Sequence, residues 1–295
     1  MLQCFDGAFD RDQLDRRAFT FKHKLMGHPA LSIANLARTI PALPANQVFY
    51  SSGLLSKNDD FDRAHIEHRN GLTIEETIEN IRTSNSYVMV RSPERDPSFA
   101  EVYRQLTDDV AALMRERRLS GLPVDAMLYL FIASPNSITP FHIDRYSTLL
   151  LQFQGSKEVT VFPPWDERIM PTSEREEFVA RIAGKRPVFR PEIEDLGRRF
   201  EFHPGEALHI PFVAGHHVKN GPSEVSISMS IIFKTPETMR QIHAMSFNNA
   251  CRPMLQKIGL QPQAVGQSAW RDSLKSTAYR IGRKGKHIVR ATTAG

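Results

Sequence analysis

What this 295-residue chain lacks narrows its class before any motif is read. It has only two cysteines, Cys4 and Cys251, with no C-x-x-C pair, so neither a disulfide framework nor a thiolate zinc site is expected. A reducing, cytoplasmic setting is the simple expectation. No apolar run is long enough to span a bilayer, and Met1 to Arg17 carries scattered charges where a secretory leader would be apolar. Repeats and low-complexity tracts are absent too. Excess charge of one sign is missing from most of the chain. The formal net charge is +5, but Arg271, Lys275, Arg280, Arg283, Lys284, Lys286 and Arg290 stand against Asp272 alone. Without that tail the body is close to neutral. Nucleic acid is therefore not expected as a partner, because the tail has no interleaved aromatics and no DNA-binding motif. Hydrophobic content of 41% and charged content of 24% are those of an ordinary globular protein with a sizeable core.

What is present falls into three stretches. Residues 1–125 read as a helical and strand-bearing flank. Leu31, Ala34, Leu36, Ala37 and Ile40 predict a helix ending before Pro41, within a region to residue 46 that reads as helical. Val48 to Tyr50 and Tyr87 to Val90 predict strands. Thr73 and Glu76 form a capping-box pattern, and Phe99 to Leu119 predicts a long amphipathic helix. Residues 126–234 change texture to short runs rich in β-branched and aromatic residues, at 126–133, 149–154, 158–162, 207–210 and 225–233, bounded by Pro, Gly and Asn. A charged insertion separates Phe162 from Phe200, with Glu174 to Ala183 read as helix. Residues 235–295 return to helix, to about Ile258, followed by a linker and the basic tail.

The chemistry is concentrated in Thr139-Pro140-Phe141-His142-Ile143-Asp144 and, far along the chain, Ile210-Pro211-Phe212-Val213-Ala214-Gly215-His216-His217-Val218. Two imidazoles and a carboxylate are the donor set of a 2-His-1-carboxylate facial triad, which leaves one face of an iron ion open. His142 and Asp144 are two residues apart and share a face of an extended strand. His216 and His217 are adjacent on a strand and face opposite ways, so only one of them can join the site. A bare His-x-Asp pair is more often a surface or structural pair than a metal site. Ser226, Ser228 and Ser230 alternate with Val225, Ile227, Met229 and Ile231. The serine face is either cavity-lining or solvent-exposed. Tyr129 and Phe131 share a strand face, either walling a cofactor pocket or packing in the core.

With these residues in place, the chain resembles the Jumonji C, cupin-fold group of Fe(II)- and 2-oxoglutarate-dependent oxygenases. It is particularly similar to the bacterial cupin-like subgroup and, over 126–234, to the asparaginyl hydroxylase of hypoxia-inducible factor. The pattern T-P-x-H-x-D, then G-x-K at Gly155 to Lys157, then F-P-P at Phe162 to Pro164 keeps that hydroxylase's spacing. The resemblance implies a mainly β protein with α flanks, a double-stranded β-helix (jelly-roll) core with N- and C-terminal helices. It implies His142, Asp144 and His216 as ligands of Fe(II), the family pattern favouring His216 over His217. It implies Lys157 and Thr139 as contacts of the distal carboxylate of 2-oxoglutarate, with Ser230 beside the cosubstrate, whose pocket is the one that Tyr129 would wall if it does not pack in the core. Tyr87 is a candidate for a third contact. The implied activity is hydroxylation of an unactivated C–H of a peptide, protein or small molecule, with release of succinate and CO2. Thr148 departs from the hydroxylase's asparagine, and Ala214-Gly215 from tryptophans common before the second histidine, which leaves the substrate open. A metal cupin without 2-oxoglutarate and a non-catalytic cupin-like binding or regulatory protein are the alternative classes. Related barrels often dimerise through helices placed like those after 235, where Met239, Ile242, Met245, Met254, Leu255 and Ile258 supply apolar positions. A homodimer is the corresponding expectation.

Overall fold

Alternation of serine with apolar residues along Ser226–Lys234 (β11), beside the aliphatic and aromatic run of Val124–Ala133 (β4), sets the frame of the fold. In the computed structural model, which describes residues 2–6, 9–117, 119, 122–182 and 186–292, these two strands pair antiparallel. Met229 lies opposite Leu130, and Ser230 opposite Tyr129. The register puts Leu128, Leu130, Ile132, Met229 and Ile231 on one face and Tyr129, Phe131, Ser228 and Ser230 on the other.

Around this pair the chain winds Ile138–Ile143 (β5), Ser147–Gln154 (β6), Lys157–Val161 (β7), Arg198–Phe202 (β8), Glu206–Ile210 (β9) and Gly215–Asn220 (β10). Earlier strands are Phe19–Lys22 (β1), Val48–Ser52 (β2) and Ser86–Arg91 (β3). Among the described residues they form a seven-stranded sheet, β1-β9-β6-β11-β4-β3-β2, and a four-stranded sheet, β5-β10-β7-β8. From β4 to β11 the chain passes back and forth between the two sheets as a double-stranded β-helix does, except that β7 and β8 pair within the small one. The jelly-roll core read from the sequence is the fold observed.

Two apolar clusters show which face is which. One joins Leu128, Leu130, Leu149, Leu151, Met229 and Ile231 to Val102, Leu106, Val110 and Leu113 of Pro97–Glu116 (α4). That helix starts with Pro97 at its first position and the Asp96 side chain accepting from Ser98 N–H, both standard start signals. Its burial covers the outer face of the large sheet. The other cluster brings Leu150 and Leu208 of the large sheet together with Val159, Val161, Phe200, Phe202 and Val218 of the small one. This is the barrel interior, and the serine face of β11 turns towards it. Both faces of β11 are buried, so the solvent-exposed alternative does not hold.

Several elements differ from the sequence expectation. Among the described residues, the region to residue 46 holds β1 and a single α-helix, Ile33–Ala42 (α1), where helix was expected throughout. Pro41 sits inside the last turn of α1, although a stop before it was expected. Strand β8 starts inside the stretch read as charged insertion, at Arg198, and runs past its end to Phe202. Its exposed positions are Arg198, Arg199 and Glu201, while Phe200 and Phe202 bury. The remaining early helices are Ala64–Glu67 (α2) and Ile74–Glu79 (α3), the latter opened by the reciprocal Thr73/Glu76 capping box.

Residues 165–187 and 235–295 cluster as a second unit. It contains Thr172–Val179 (α5), Pro236–Lys257 (α6) and Ala269–Thr292 (α7), so the basic tail is helical. Inside this unit the buried Glu176 carboxylate accepts from Asn248 Nδ2 at 2.7 Å and pairs with the Arg252 guanidinium. No helix among the described residues is long and apolar enough to cross a membrane.

Candidate metal centre

Strand register brings the expected ligands together. His142 near the end of β5 lies opposite His216 near the start of β10, and their ring centroids are 4.1 Å apart. Asp144 follows β5 by one residue, and its Oδ2 is 3.9 Å from His216 Nε2. One donor atom from each of the three residues lies within 4.8 Å of the others. The loop before β10 is held to the first segment, because Val213 N–H donates to the Asp144 carbonyl at 3.2 Å. Val213 adopts φ of 57°, a left-handed conformation costly for a β-branched residue. Such strain is kept only where the surroundings over-determine it.

The imidazoles are oriented for coordination. His142 Nδ1 is 2.8 Å from the Pro140 carbonyl, and His216 Nδ1 is 3.1 Å from the Ala214 carbonyl. A carbonyl only accepts, so each Nδ1 carries the proton and each Nε2 keeps a lone pair facing the cluster. Metal-bound histidines are fixed by this second hydrogen bond. Burial, and then the neighbouring His142 ring, hold His216 well below the usual imidazole range, so it is neutral at physiological pH. On the carboxylate, the Thr148 hydroxyl donates to Asp144 Oδ2 at 3.1 Å. The donor set is neutral nitrogen, neutral nitrogen and carboxylate oxygen, which fits an Fe(II) ion with open positions.

His217 turns to the other side of β10. Its Nε2 is 3.3 Å from Glu194 Oε2, which also accepts from Lys57 Nζ at 2.9 Å. Burial, with Lys57 adding to it, lowers the His217 pKa. This residue belongs to a separate network on the outer face.

Lys157 opens β7 and lies opposite Asn220 of β10, on the face shared by Val159, Val161, Val218 and His216. It is 3% exposed. Its Nζ donates to Asn220 Oδ1 at 2.7 Å, while Asn220 Nδ2 donates to the Ser137 carbonyl at 3.0 Å. No carboxylate pairs with this ammonium among the described residues, and burial pulls its pKa down to about 7. A buried cation without a counter-charge is expensive, and an anionic ligand would relieve it.

The remaining expected contacts are arranged around the same interior. Thr139 on β5 is buried and shares a hydrogen bond with the Tyr87 hydroxyl, whose pKa burial raises. Ser230 is buried opposite Leu150 on one side and Tyr129 on the other. Burial pushes the Tyr129 phenol up to about 12, and its ring lies nearly parallel to Phe131, centroids 6.1 Å apart. The hydroxyl of Ser228, next along this face, is buried without a hydrogen-bond partner among the described residues. A buried hydroxyl without a partner and a buried ammonium without a counter-charge are what a polar-lined cavity leaves behind.

Three contributors escape the sequence expectation. Asn220 ends a strand with nothing to mark it as the lysine's partner. Thr148 stood out only as a departure from a relative, not as a donor to Asp144. Phe61 stacks on the His142 ring with centroids 4.7 Å apart, yet it comes from a single 3-10 turn, Phe61–Arg63, in a polar stretch of sequence.

Residues 20–239 match the family described as cupin-like domain. None of the curated proteins matches the sequence. Among solved structures, the chain is similar to that of Escherichia coli ycfD, at 16% identity and a TM-score of 0.49, covering 95% of this chain and 69% of that one. A second similar structure is of the same bacterium's YcfD, described as a ribosomal oxygenase in complex with cobalt and succinic acid. Here identity is 16% and the TM-score 0.45, over 94% of this chain and 67% of the other.

Proposed function

We propose that this chain, which belongs to the cupin-like domain family of the Jumonji C group, is an Fe(II)- and 2-oxoglutarate-dependent oxygenase. The observation that carries the reading is the combination of the His142/Asp144/His216 cluster with the unpaired, buried Lys157 on one inner barrel face. A metal cupin that uses no keto acid would have no need of the second feature.

In this reading His142, Asp144 and His216 hold the iron through Nε2, a carboxylate oxygen and Nε2. Lys157 holds the far carboxylate of 2-oxoglutarate as a point charge with three donors, one of them already spent on Asn220. The hydroxyl pair of Thr139 and Tyr87 adds polar contacts beside it, and Ser230 lines the cavity with Tyr129. Iron and 2-oxoglutarate together supply oxidation of an unactivated C–H by O2, with succinate and CO2 as coproducts. The protein's share is orientation and the exclusion of water. The Pro140 and Ala214 carbonyls set the two imidazoles, and Thr148 steadies Asp144. The apolar residues of β7, β8 and β10 keep the interior dry, which strengthens every charge contact inside.

The substrate is a peptide, a protein or a small molecule. We place the enzyme in the cytoplasm, consistent with Cys4 and Cys251 both being free. Assembly as a homodimer through α6 and α7 belongs to the same proposal. Anaerobic addition of Fe(II) and then 2-oxoglutarate tests the central claim. The weak visible charge-transfer band of the chelate should appear with both present and not with either alone. Its absence in protein that binds iron would remove 2-oxoglutarate from the reading.

A further inference from the structure

Asp15 sits in a turn before β1, with its backbone at φ of 60°, a left-handed conformation that costs a residue with a side chain. The turn is pinned from several sides. The Arg16 and Arg17 N–H groups donate to the Gln13 carbonyl at 2.8 and 3.0 Å. Leu14 is buried in the outer apolar cluster, and Arg117 Nη1 donates to the Leu14 carbonyl at 2.9 Å. Strain held this firmly marks a position that the surroundings specify.

The polar groups of Asp15 are directed at the supports of the metal centre. Its N–H donates to His209 Nε2 at 2.9 Å, and His209 Nδ1 lies 3.0 Å from the Thr148 carbonyl. A carbonyl only accepts, so the ring carries its proton on Nδ1 and joins the Asp15 main chain to Thr148. Burial holds the His209 pKa down to about 3, which keeps the ring in the neutral form that accepts and donates at once. Thr148 is the residue whose hydroxyl donates to Asp144 Oδ2.

On the other side, Asp15 Oδ1 accepts from the Phe212 N–H at 3.1 Å. Phe212 is buried between β9 and β10, outside both ladders, so a side chain has to supply the acceptor for its N–H. The next residue is the strained Val213, whose N–H closes on the Asp144 carbonyl. One residue thus bears on both ligand-carrying segments. Burial raises the Asp15 pKa, against the Ser147 hydroxyl, the Phe212 N–H and Arg117. Protonated or not, the carboxyl keeps an oxygen for Phe212, so the contact needs an acceptor and not a charge.

We propose that Asp15 is a positioning residue of the metal centre, setting the Phe212–Val213 loop and Thr148 so that His216 and Asp144 converge. The inference rests on reading His142, Asp144 and His216 as metal ligands and is independent of 2-oxoglutarate.

Visible absorption of Co(II) added to the metal-free full-length protein tests it, because the d–d bands report both occupancy and ligand geometry. Asp15→Gly removes the carboxyl, keeps the N–H and relieves the left-handed strain. It should weaken Co(II) binding about 10–100-fold, the range for contacts that support ligands, and alter the band shape. Asp15→Asn keeps an acceptor and should restore most of the affinity and the wild-type bands. In the metal-free protein, hydrogen exchange of the amides from Phe212 to Gly215 should quicken in Asp15→Gly and stay slow in Asp15→Asn. Asp15→Ser, whose hydroxyl stops a bond short of Phe212, takes the place of Asp15→Gly should that variant not fold. Unchanged Co(II) affinity and bands in folded Asp15→Gly, even with a lowered melting temperature, would overturn the proposal. Equal loss in Asp15→Asn and Asp15→Gly would overturn it too, since the acceptor would not be what matters. A wild type that takes up no Co(II) would remove the metal reading itself, and this inference with it.

Discussion

The Lys157 ammonium and the Asn220 side-chain carbonyl face each other across β7 and β10, 2.7 Å apart and both buried. The amide accepts a hydrogen bond but offers no charge, so the lysine is solvated without being neutralised. A residue needed only for stability would be served better by an apolar side chain at such a position. The pair is poised for an anion.

Removing that cation should separate cosubstrate binding from metal binding. Lys157→Ala is expected to weaken 2-oxoglutarate binding by about 3–5 kcal/mol, the usual cost of leaving one member of a buried pair uncompensated. Iron affinity should change little. Titration of the charge-transfer band measures the first, and bound iron after desalting the second. Unchanged 2-oxoglutarate affinity would move the cosubstrate site elsewhere.

Acid and base should act on the same lysine in a defined direction. Its folded pKa is about 7, below the ordinary 10.5, so between those values the unfolded chain binds the extra proton. Stability of the ligand-free protein from this group therefore rises with pH across that window, and its cost is fully present below it. Denaturant unfolding at stepped pH should show this slope in wild type and not in Lys157→Met. Binding of 2-oxoglutarate should weaken as pH rises above 7, because the ligand-free ammonium is lost.

Iron content should discriminate between the adjacent histidines. Ala at His142, Asp144 or His216 is expected to abolish stoichiometric iron. His217→Ala should retain it and lose the contacts to Glu194, Phe162 and Phe189. The reverse pattern for His216 and His217 would invalidate the ligand set.

Thr148 gives a finer test of the centre. Thr148→Val removes the hydroxyl that steadies Asp144 and should lower metal affinity about 10–100-fold, the range for such supporting contacts. Thr148→Ser should restore most of it. Equal loss in both variants would point to packing instead.

The proposed homodimer has a surface to account for. Met254 and Ile258 at the end of α6, and Trp270, Leu274 and Ile281 along α7, are exposed apolar side chains. Trp270→Lys with Leu274→Lys should convert a dimer to a monomer in sedimentation while far-UV dichroism stays unchanged. A monomeric wild type at tens of micromolar, on the order of concentrations that saturate stable dimers, would dispose of the idea.

How far the sequence could be read follows from where each signal comes from. The barrel strands with strong alternation, such as Ser226–Lys234, were legible because both faces are specified by the chain itself. The Thr73/Glu76 box was legible for the same local reason. Strand β8 was hidden because an edge strand with one inward face looks like charged loop apart from Phe200 and Phe202. The helix α7 was obscured by its basic, glycine-containing composition. At the site, His142 and Asp144 announced themselves through spacing. Phe61 did not, since its contact with His142 joins a 3-10 turn to a strand and has no trace in local sequence. Asn220 needs register, which no single strand encodes.

The hydrogen bond from Val213 to the Asp144 carbonyl, with Gly215 paired to Ile143, has a consequence for how this chain can vary. The two ligand-bearing segments are sewn together by main chain at the point of use. Their distance in space owes nothing to the many residues that lie between them in sequence. The chain leaves β7 after Val161 and resumes the barrel only at Arg198. Segments of that excursion could be lengthened or trimmed at small entropic cost without displacing an imidazole. Phe189 and Glu194 of the excursion touch Phe141 and His217 beside the ligands, so diversity can accumulate in its other segments while the chemistry stays put.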